Sequence, residues 1–305
     1  MIYVIGHKNP DTDSICSAIA YARLKNKLGE GEFAPARCGA INPETKFVLE
    51  KFGVEAPEVL ENASGRELIL VDHNEFSQAV DGIENAKIVE VVDHHKVNFN
   101  YSEPIYFLVK PLGSTATIIA EKYFEAGIEP EKEIAGILLG AILSDTVVFK
   151  SPTTTEKDKE IAKKLAEIAG IDDIEKFGIE VKKAKSNLEG MSEEEIIKGD
   201  FKEFTFGDKK VGIGQVEIVD YDQVKGREDE IISEMEKMTG EGYDLVMLMV
   251  TNIMDESSLL LVAGNIVKVE EAFGKKVEND RVLLPGVMSR KKQVVPKIEE
   301  AYKTR

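Results

Sequence analysis

The chain opens MIYVIGHKNPDTDSICSAIAYARLKNKL, residues 1–28. An apolar run, Ile2–Ile5, reads as a buried strand, and GHKNPDTD (Gly6–Asp13) breaks it with Gly, Pro and Asp. A helix is then expected over Ser14–Leu28, where Ile15, Ile19 and Ala22 recur at helical spacing before a basic exit of Arg23, Lys25 and Lys27. Strand, polar loop, helix is the unit of a wound α/β fold.

The unit repeats. Further strands are expected at Glu67–Val71, Ile88–Val92 and Ile105–Val109, and helices at Pro43–Phe52, Ser114–Ala126, Pro130–Ser144 and Thr155–Ala169. Such alternation predicts a mainly parallel, doubly wound sheet covered by helices on both faces. The polar segment SNLEGMSEEE (Ser186–Glu195) reads as a linker, centred on 187–192, although a surface turn feeding a helix has the same composition. It divides a domain at 1–186 from a smaller mixed-sheet α/β domain at 193–305. In the latter, strands are expected at Phe201–Phe206, Lys210–Ile218, Leu245–Thr251, Leu259–Ala263 and Val282–Leu284. Helices are expected at Gln223–Met238, Ile266–Phe273 and Lys291–Tyr302. Two domains also suit 305 residues.

The chemistry gathers behind the strands. The chain has four histidines, His7, His73, His94 and His95, each just beyond an expected strand and beside an aspartate or in its motif: GHKNPDTD, VDHN (71–74) and VVDHH (91–95). Strand carboxyl ends in a doubly wound sheet share one edge, where ligands bind. His7, Asp11, Asp13, Asp72, Asp93, His94 and His95 therefore converge, and Asp145, after AGILLGAILS, is placed to join them. Taken singly, each has a plain alternative. Asp13 could cap the helix opening at Ser14, His73 could be a turn or an orienting neighbour, and Asp145 alone carries little signal. Together, so many carboxylates on one edge repel unless cations lie between them. Imidazole and carboxylate in one set suit two Mn²⁺ or Co²⁺ ions better than Mg²⁺ alone. Asp72 could bridge ions ~3.5–4 Å apart, and a water they share would ionise near neutral pH and attack phosphorus.

The net charge of −17 argues against a nucleic-acid partner. Against that background Arg290-Lys291-Lys292 is the densest cationic cluster. Three cations at a helix start are locally unfavourable, so either solvent or a bound anion relieves them. Gly113-Ser114-Thr115 opens a helix and reads equally as a cap or as a source of donor groups. Cys16 and Cys38 form no disulfide framework and read as small buried thiols. No apolar run is long enough to span a membrane and the first residues lack signal-peptide character, so a cytoplasmic location is expected.

The series GHKNPDTDS, LVDHN, VVDHH and SRKKQ (Ser289–Gln293) resembles the family II, manganese-dependent inorganic pyrophosphatases of the DHH phosphoesterase superfamily, along essentially the whole chain. The resemblance implies hydrolysis of pyrophosphate to two phosphates by a hydroxide bridging two Mn²⁺ or Co²⁺ ions, with the site between the domains. His7 and Asp11 would hold one ion, Asp13, His94 and Asp145 the other, and Asp72 would bridge. His95 would contact substrate phosphate and Asp93 would orient its neighbours. Lys202, in the stretch Asp200–Phe204, and the pair Arg290 and Lys291 would clamp the anion, which would bring a further Mg²⁺ or Mn²⁺. A homodimer is implied, through an edge strand of the first domain. An exopolyphosphatase or oligonucleotide phosphodiesterase of the same superfamily is the alternative. A non-catalytic phosphate sensor fits less well, since every expected ligand is present.

Overall fold

The computed structural model describes residues 1–185, 188 and 190–303. Two compact units divide the chain, Met1–Lys185 and Ser186–Arg305. Of the expected linker, residues 187 and 189 lie outside the described residues.

The first unit runs β1 (Ile2–Ile5), α1 (Thr12–Leu28), β2 (Phe33–Arg37), α2 (Pro43–Phe52), β3 (Glu58–Val59), β4 (Glu67–Val71), β5 (Lys87–Asp93) and β6 (Tyr106–Val109). It closes with α3 (Thr115–Glu125), α4 (Lys132–Asp145), α5 (Glu156–Ala169) and α6 (Ile174–Lys185). All pairings in its six-stranded sheet are parallel, in the order β3-β2-β1-β4-β5-β6. The winding reverses between β1 and β4, which makes the crevice beyond their carboxyl ends the expected ligand site. Sequence inspection had not anticipated β2, β3 or α6.

α4 is apolar on every side because it is enclosed by α1, α2, α3, α5 and α6. Glycine lets α2 approach it. A Cβ on Gly136 would lie 2.2 Å from Phe52 and one on Gly140 2.7 Å from Val48. At Gly6 a Cβ would come within 1.7 Å of Ser14 Oγ, so only glycine lets β1 end against the first turn of α1.

The second unit contains α7 (Glu193–Lys198), β7 (Phe201–Phe206), β8 (Lys209–Ile218), α8 (Glu228–Gly240), β9 (Leu245–Asn252) and β10 (Ser257–Gly264). It ends with α9 (Ile266–Phe273), β11 (Arg281–Pro285), a wide π-helical turn at Arg290–Val294 and α10 (Val295–Lys303). Its sheet is mixed, ordered β11-β10-β9-β8-β7, with β8 and β9 parallel and the other pairs antiparallel. β9 is buried along its whole length. Val246, Leu248 and Val250 join the core on one face, and Leu245, Met247 and Met249 join the core on the other. The sheet is therefore covered on both sides.

Candidate metal centre and anion pocket

β1, β4 and β5 end on the same edge of the first sheet and deliver three short polar motifs to it. After β1, Asp11 caps α1, its Oδ1 accepting from Ser14 N at 2.9 Å. The alternative in which Asp13 caps this helix is thereby corrected: the helix begins at Thr12, and Asp13 lies inside its first turn, fully buried. Capping uses one Asp11 oxygen and leaves Oδ2 3.6 Å from His7 Nε2. His7 Nδ1 lies 2.8 Å from Lys8 O, and since a carbonyl only accepts, Nδ1 carries the proton and Nε2 is presented.

Asp13 accepts from Ser17 Oγ, Ser114 Oγ, Thr115 N and Ala116 N, at 3.1, 2.9, 2.6 and 2.9 Å. Ser114 is also the N-cap of α3. Gly113-Ser114-Thr115 thus serves both as a helix cap and as a donor cradle, with the amino end of α3 turned on a buried carboxylate. The cradle is itself anchored by the buried Asp158, which accepts from Gly113 N at 3.0 and 3.1 Å and from Thr117 Oγ1 at 2.6 Å.

Beyond β4, Asp72 adopts φ +63°, a left-handed conformation that is uncommon outside glycine. It is buried, with Oδ1 accepting from Thr115 Oγ1 at 3.0 Å. The Asp72 carboxylate lies 3.4 Å from His7 Nε2 and 3.4 Å from His94 Nε2. His94 Nδ1 donates to Leu112 O at 3.0 Å, and its Nε2 also lies 3.5 Å from Asp145 Oδ2, at the last residue of α4. His73 is buried and donates from Nδ1 to Val71 O at 2.9 Å, its ring edge-on to His7.

Asp93 ends β5, fully buried, and faces inward to organise the motif. Its Oδ1 accepts from His94 N, His95 N and His95 Nδ1 at 2.7, 3.1 and 2.9 Å, and its Oδ2 from Asn74 Nδ2 at 2.6 Å. The His95 side chain remains 53% exposed. Asn74, Ser114, Thr115 and Asp158 were not singled out as site residues from sequence. Only the helix-opening trio had given a signal, and an ambiguous one.

Three sets of donor atoms result, each within 4.8 Å of one another: His7, Asp11 and Asp72; Asp13, Asp72, His94 and Asp145; and Asp72, His94 and His95. Asp72 belongs to all three. Asp72 Oδ2 and His94 Nε2 are buried without a hydrogen-bond partner among the described residues, an arrangement that costs free energy unless another group satisfies them. The protonation energetics agree. Burial opposes charge on His7, yet Asp11 and Asp72 push its pKa up to about 11. Burial likewise opposes charge on His94, which Asp72 and Asp13 push up to about 10. Burial and the Asp72 charge lift Asp13 to about 7, and burial with the Asp13 charge lifts Asp145 well above the carboxylate range. Asp72 itself is held low against burial by the two imidazoles. A divalent cation relieves all of these conflicts, so the donor set fits Mn²⁺.

In the second unit, Lys202 on β7 and Arg290 and Lys291 of the π-helical turn line one cavity of ≈ 480 Å³, together with Gln215, Glu217 and Ser289. Arg290 is 6% exposed and already engaged within the unit. Its Nη2 spans both Asp200 oxygens at 2.8 and 2.9 Å, and Nη1 donates to Ile213 O at 3.1 Å. Lys291, by contrast, is exposed.

Residues 1–142 match the family model for the DHH family N-terminal domain, and residues 179–301 that for the DHHA2 domain. A manganese-dependent inorganic pyrophosphatase of Methanocaldococcus jannaschii is 55% identical, over 99% of both chains. Its counterpart in Bacillus subtilis is 48% identical over 98% of both. A crystal structure from Methanococcus jannaschii, assigned to family II of the inorganic pyrophosphatases, is 54% identical. It covers 99% of this chain and 100% of that one, with a TM-score of 0.64. An exopolyphosphatase-related protein of Bacteroides fragilis, 14% identical with a TM-score of 0.50 over 99% of this chain and 91% of that one, shares the fold alone. These relatives favour pyrophosphate over polyphosphate or an oligonucleotide as substrate. By its full-length identity to them and by the manganese-compatible donors gathered at the sheet edge, this chain belongs to the manganese-dependent inorganic pyrophosphatases and hydrolyses pyrophosphate.

Proposed function

We propose that the sheet-edge cluster holds two Mn²⁺ (or Co²⁺) ions, with His7 and Asp11 on one, Asp13, His94 and Asp145 on the other, and Asp72 shared. The observation that carries this reading is the membership of Asp72 in every donor set, at 3.4 Å from each of two imidazoles. Bound there, the ions would supply Lewis acidity, lowering the pKa of water and neutralising phosphoryl oxygens.

The chain's own residues do the rest. Lys8 O and Leu112 O fix the histidine tautomers so that Nε2 faces the centre. Asp93 raises the pKa of His95 despite burial, which favours an imidazolium able to donate to a substrate phosphate. Lys202 and Lys291 offer point charges for the phosphoryl oxygens, with a further Mg²⁺ or Mn²⁺ arriving on pyrophosphate. Arg290 contributes to the clamp either by releasing Asp200 or by shaping the turn that presents Lys291. The working form is a cytoplasmic homodimer, its dimeric state implied by the family resemblance, of units 1–186 and 193–305 about the polar linker at 187–192.

Counting Mn²⁺ bound per chain tests the centre. Two ions are expected in the native protein and a loss of both tight sites in Asp72→Asn. One ion at saturation, or an unaffected Asp72→Asn, would overturn the shared-ligand reading.

A further inference from the structure

Bonded to the first turn of α1 and the last turn of α4 is a buried ion pair that has no part in the chemistry described so far. Glu44, in the first turn of α2, is 2% exposed, and its Oε2 lies 3.0 Å from Nζ of Lys182 on α6, itself 6% exposed. Glu44 Oε1 accepts from Thr12 Oγ1 at 2.8 Å and from Ser144 Oγ. Lys182 Nζ also donates to Ser144 O at 3.2 Å. These two hydroxyl residues hold significant places in the sequence: Thr12 stands between Asp11 and Asp13, and Ser144 immediately precedes Asp145.

Helix packing puts Glu44 in that position. Glu44, Val48 and Phe52 follow one another at intervals of four along α2, and Ser144, Gly140 and Gly136 do so in the opposite direction along α4. Val48 and Phe52 sit against glycines where a Cβ would clash, and Glu44 meets the third small residue, Ser144. The close approach that the glycines allow delivers one carboxylate oxygen to both ligand-bearing helices at once.

We propose that Glu44 and Lys182 are positioning residues of the metal centre. Through Thr12 and Ser144 they fix the first turn of α1 and the last turn of α4, so that Asp11, Asp13 and Asp145 point to common ions. A pair of buried charges is a poor way simply to hold helices together. Apolar side chains of similar size do that as well or better, because desolvation offsets most of the attraction. The two charges do, however, lock hydroxyl donors in one orientation, as groups behind metal ligands commonly do. The inference rests on the reading of Asp11, Asp13 and Asp145 as ligands.

The test uses the whole chain stripped of metal, with Mn²⁺ itself as probe and free Mn²⁺ followed by electron paramagnetic resonance. The double variant Glu44→Met/Lys182→Met keeps the net charge and removes both the pair and the oxygen shared by Thr12 and Ser144, without stranding a buried charge. If the pair positions ligands, its thermal midpoint stays near the native value while Mn²⁺ affinity and kcat each fall about 10–100-fold and KM changes little. Native affinity and kcat in the folded double variant would overturn the proposal. Should that variant fail to fold, Ser144→Ala decides in its place: weakened Mn²⁺ binding supports the tether and native binding refutes it. Asp145→Asn separates the two levels of the argument. If it binds Mn²⁺ normally, the ligand assignment has failed; if it alone loses affinity, only the positioning role has.

Discussion

Loading metal into this centre should expel protons, and the structure gives their approximate number. His7 Nε2 lies 3.4 Å from Asp72 and 3.6 Å from Asp11. His94 Nε2 lies 3.4 Å from Asp72 and 3.5 Å from Asp145. At an effective dielectric of ~20, a carboxylate at that range favours an imidazolium by roughly 4–5 kcal/mol, or about 3 pKa units. Against the burial that opposes charge, Asp11 and Asp72 prevail at His7 and Asp72 and Asp13 at His94, in keeping with values near 11 and 10. Both rings are therefore protonated at pH 8 in the metal-free protein, whereas a ligating Nε2 must be bare. Saturation with Mn²⁺ at pH 8 should thus release at least about two protons per chain, the two imidazolium protons and any held by the raised Asp145 carboxyl, and affinity should climb at least ~100-fold per pH unit until the pH nears the His94 value. Calorimetric titration of Mn²⁺ in buffers of differing ionisation enthalpy counts those protons directly. Release of well under one proton, with pH-independent affinity, would refute the electrostatic reading. The sign extends to folding. Both imidazoles have folded pKa values raised above the ordinary 6.5, so their stabilisation is complete below pH 6.5 and is lost as pH rises toward 10–11. The thermal midpoint of the metal-free protein should accordingly fall across that window, and that of the Mn²⁺-loaded protein should lack this slope.

In the second unit, Arg290→Ala should lower the urea midpoint, by about 1–3 kcal/mol of stability, because it strips Asp200 and the Ile213 carbonyl of their partner. Lys291→Ala should leave the urea midpoint unchanged and raise KM for pyrophosphate in steady-state phosphate release. Ser114→Ala removes both the cap of α3 and a donor to Asp13, which should cost ~1 kcal/mol in chemical denaturation and about tenfold in Mn²⁺ affinity. Gly140→Ala forces a methyl to within 2.7 Å of Val48 and should lower the thermal midpoint through overpacking of about 1–3 kcal/mol.

Much of this protein can be read along the chain. Strands β1, β4 and β5 announce themselves as short apolar runs that stop at His-Asp motifs, helix periodicity locates α1 and α5, and α4 stands out as one long apolar run, because these signals are local. β2 escapes notice: FAPAR is short, contains Pro35 and is only half-buried, so it lacks the usual alternation. α6 is hidden because Lys182 takes a buried position where a polar residue normally marks the solvent face. Whether Asp11 or Asp13 caps α1 is likewise undecidable locally, since both sit at plausible distances from the helix start. The choice is made by Ser114, Thr115 and Ala116, a hundred residues downstream, whose donors claim the Asp13 carboxylate and leave Asp11 to cap. The same holds for Glu44, an ordinary first-turn glutamate in sequence that becomes a buried counter-charge only when α2, α4 and α6 pack together. Residue type and spacing determined which side chains could bind metal and that strands would carry them to one edge. Their orientation, protonation and partners depend on donors distant in sequence and on burial, and neither exists until the chain has folded.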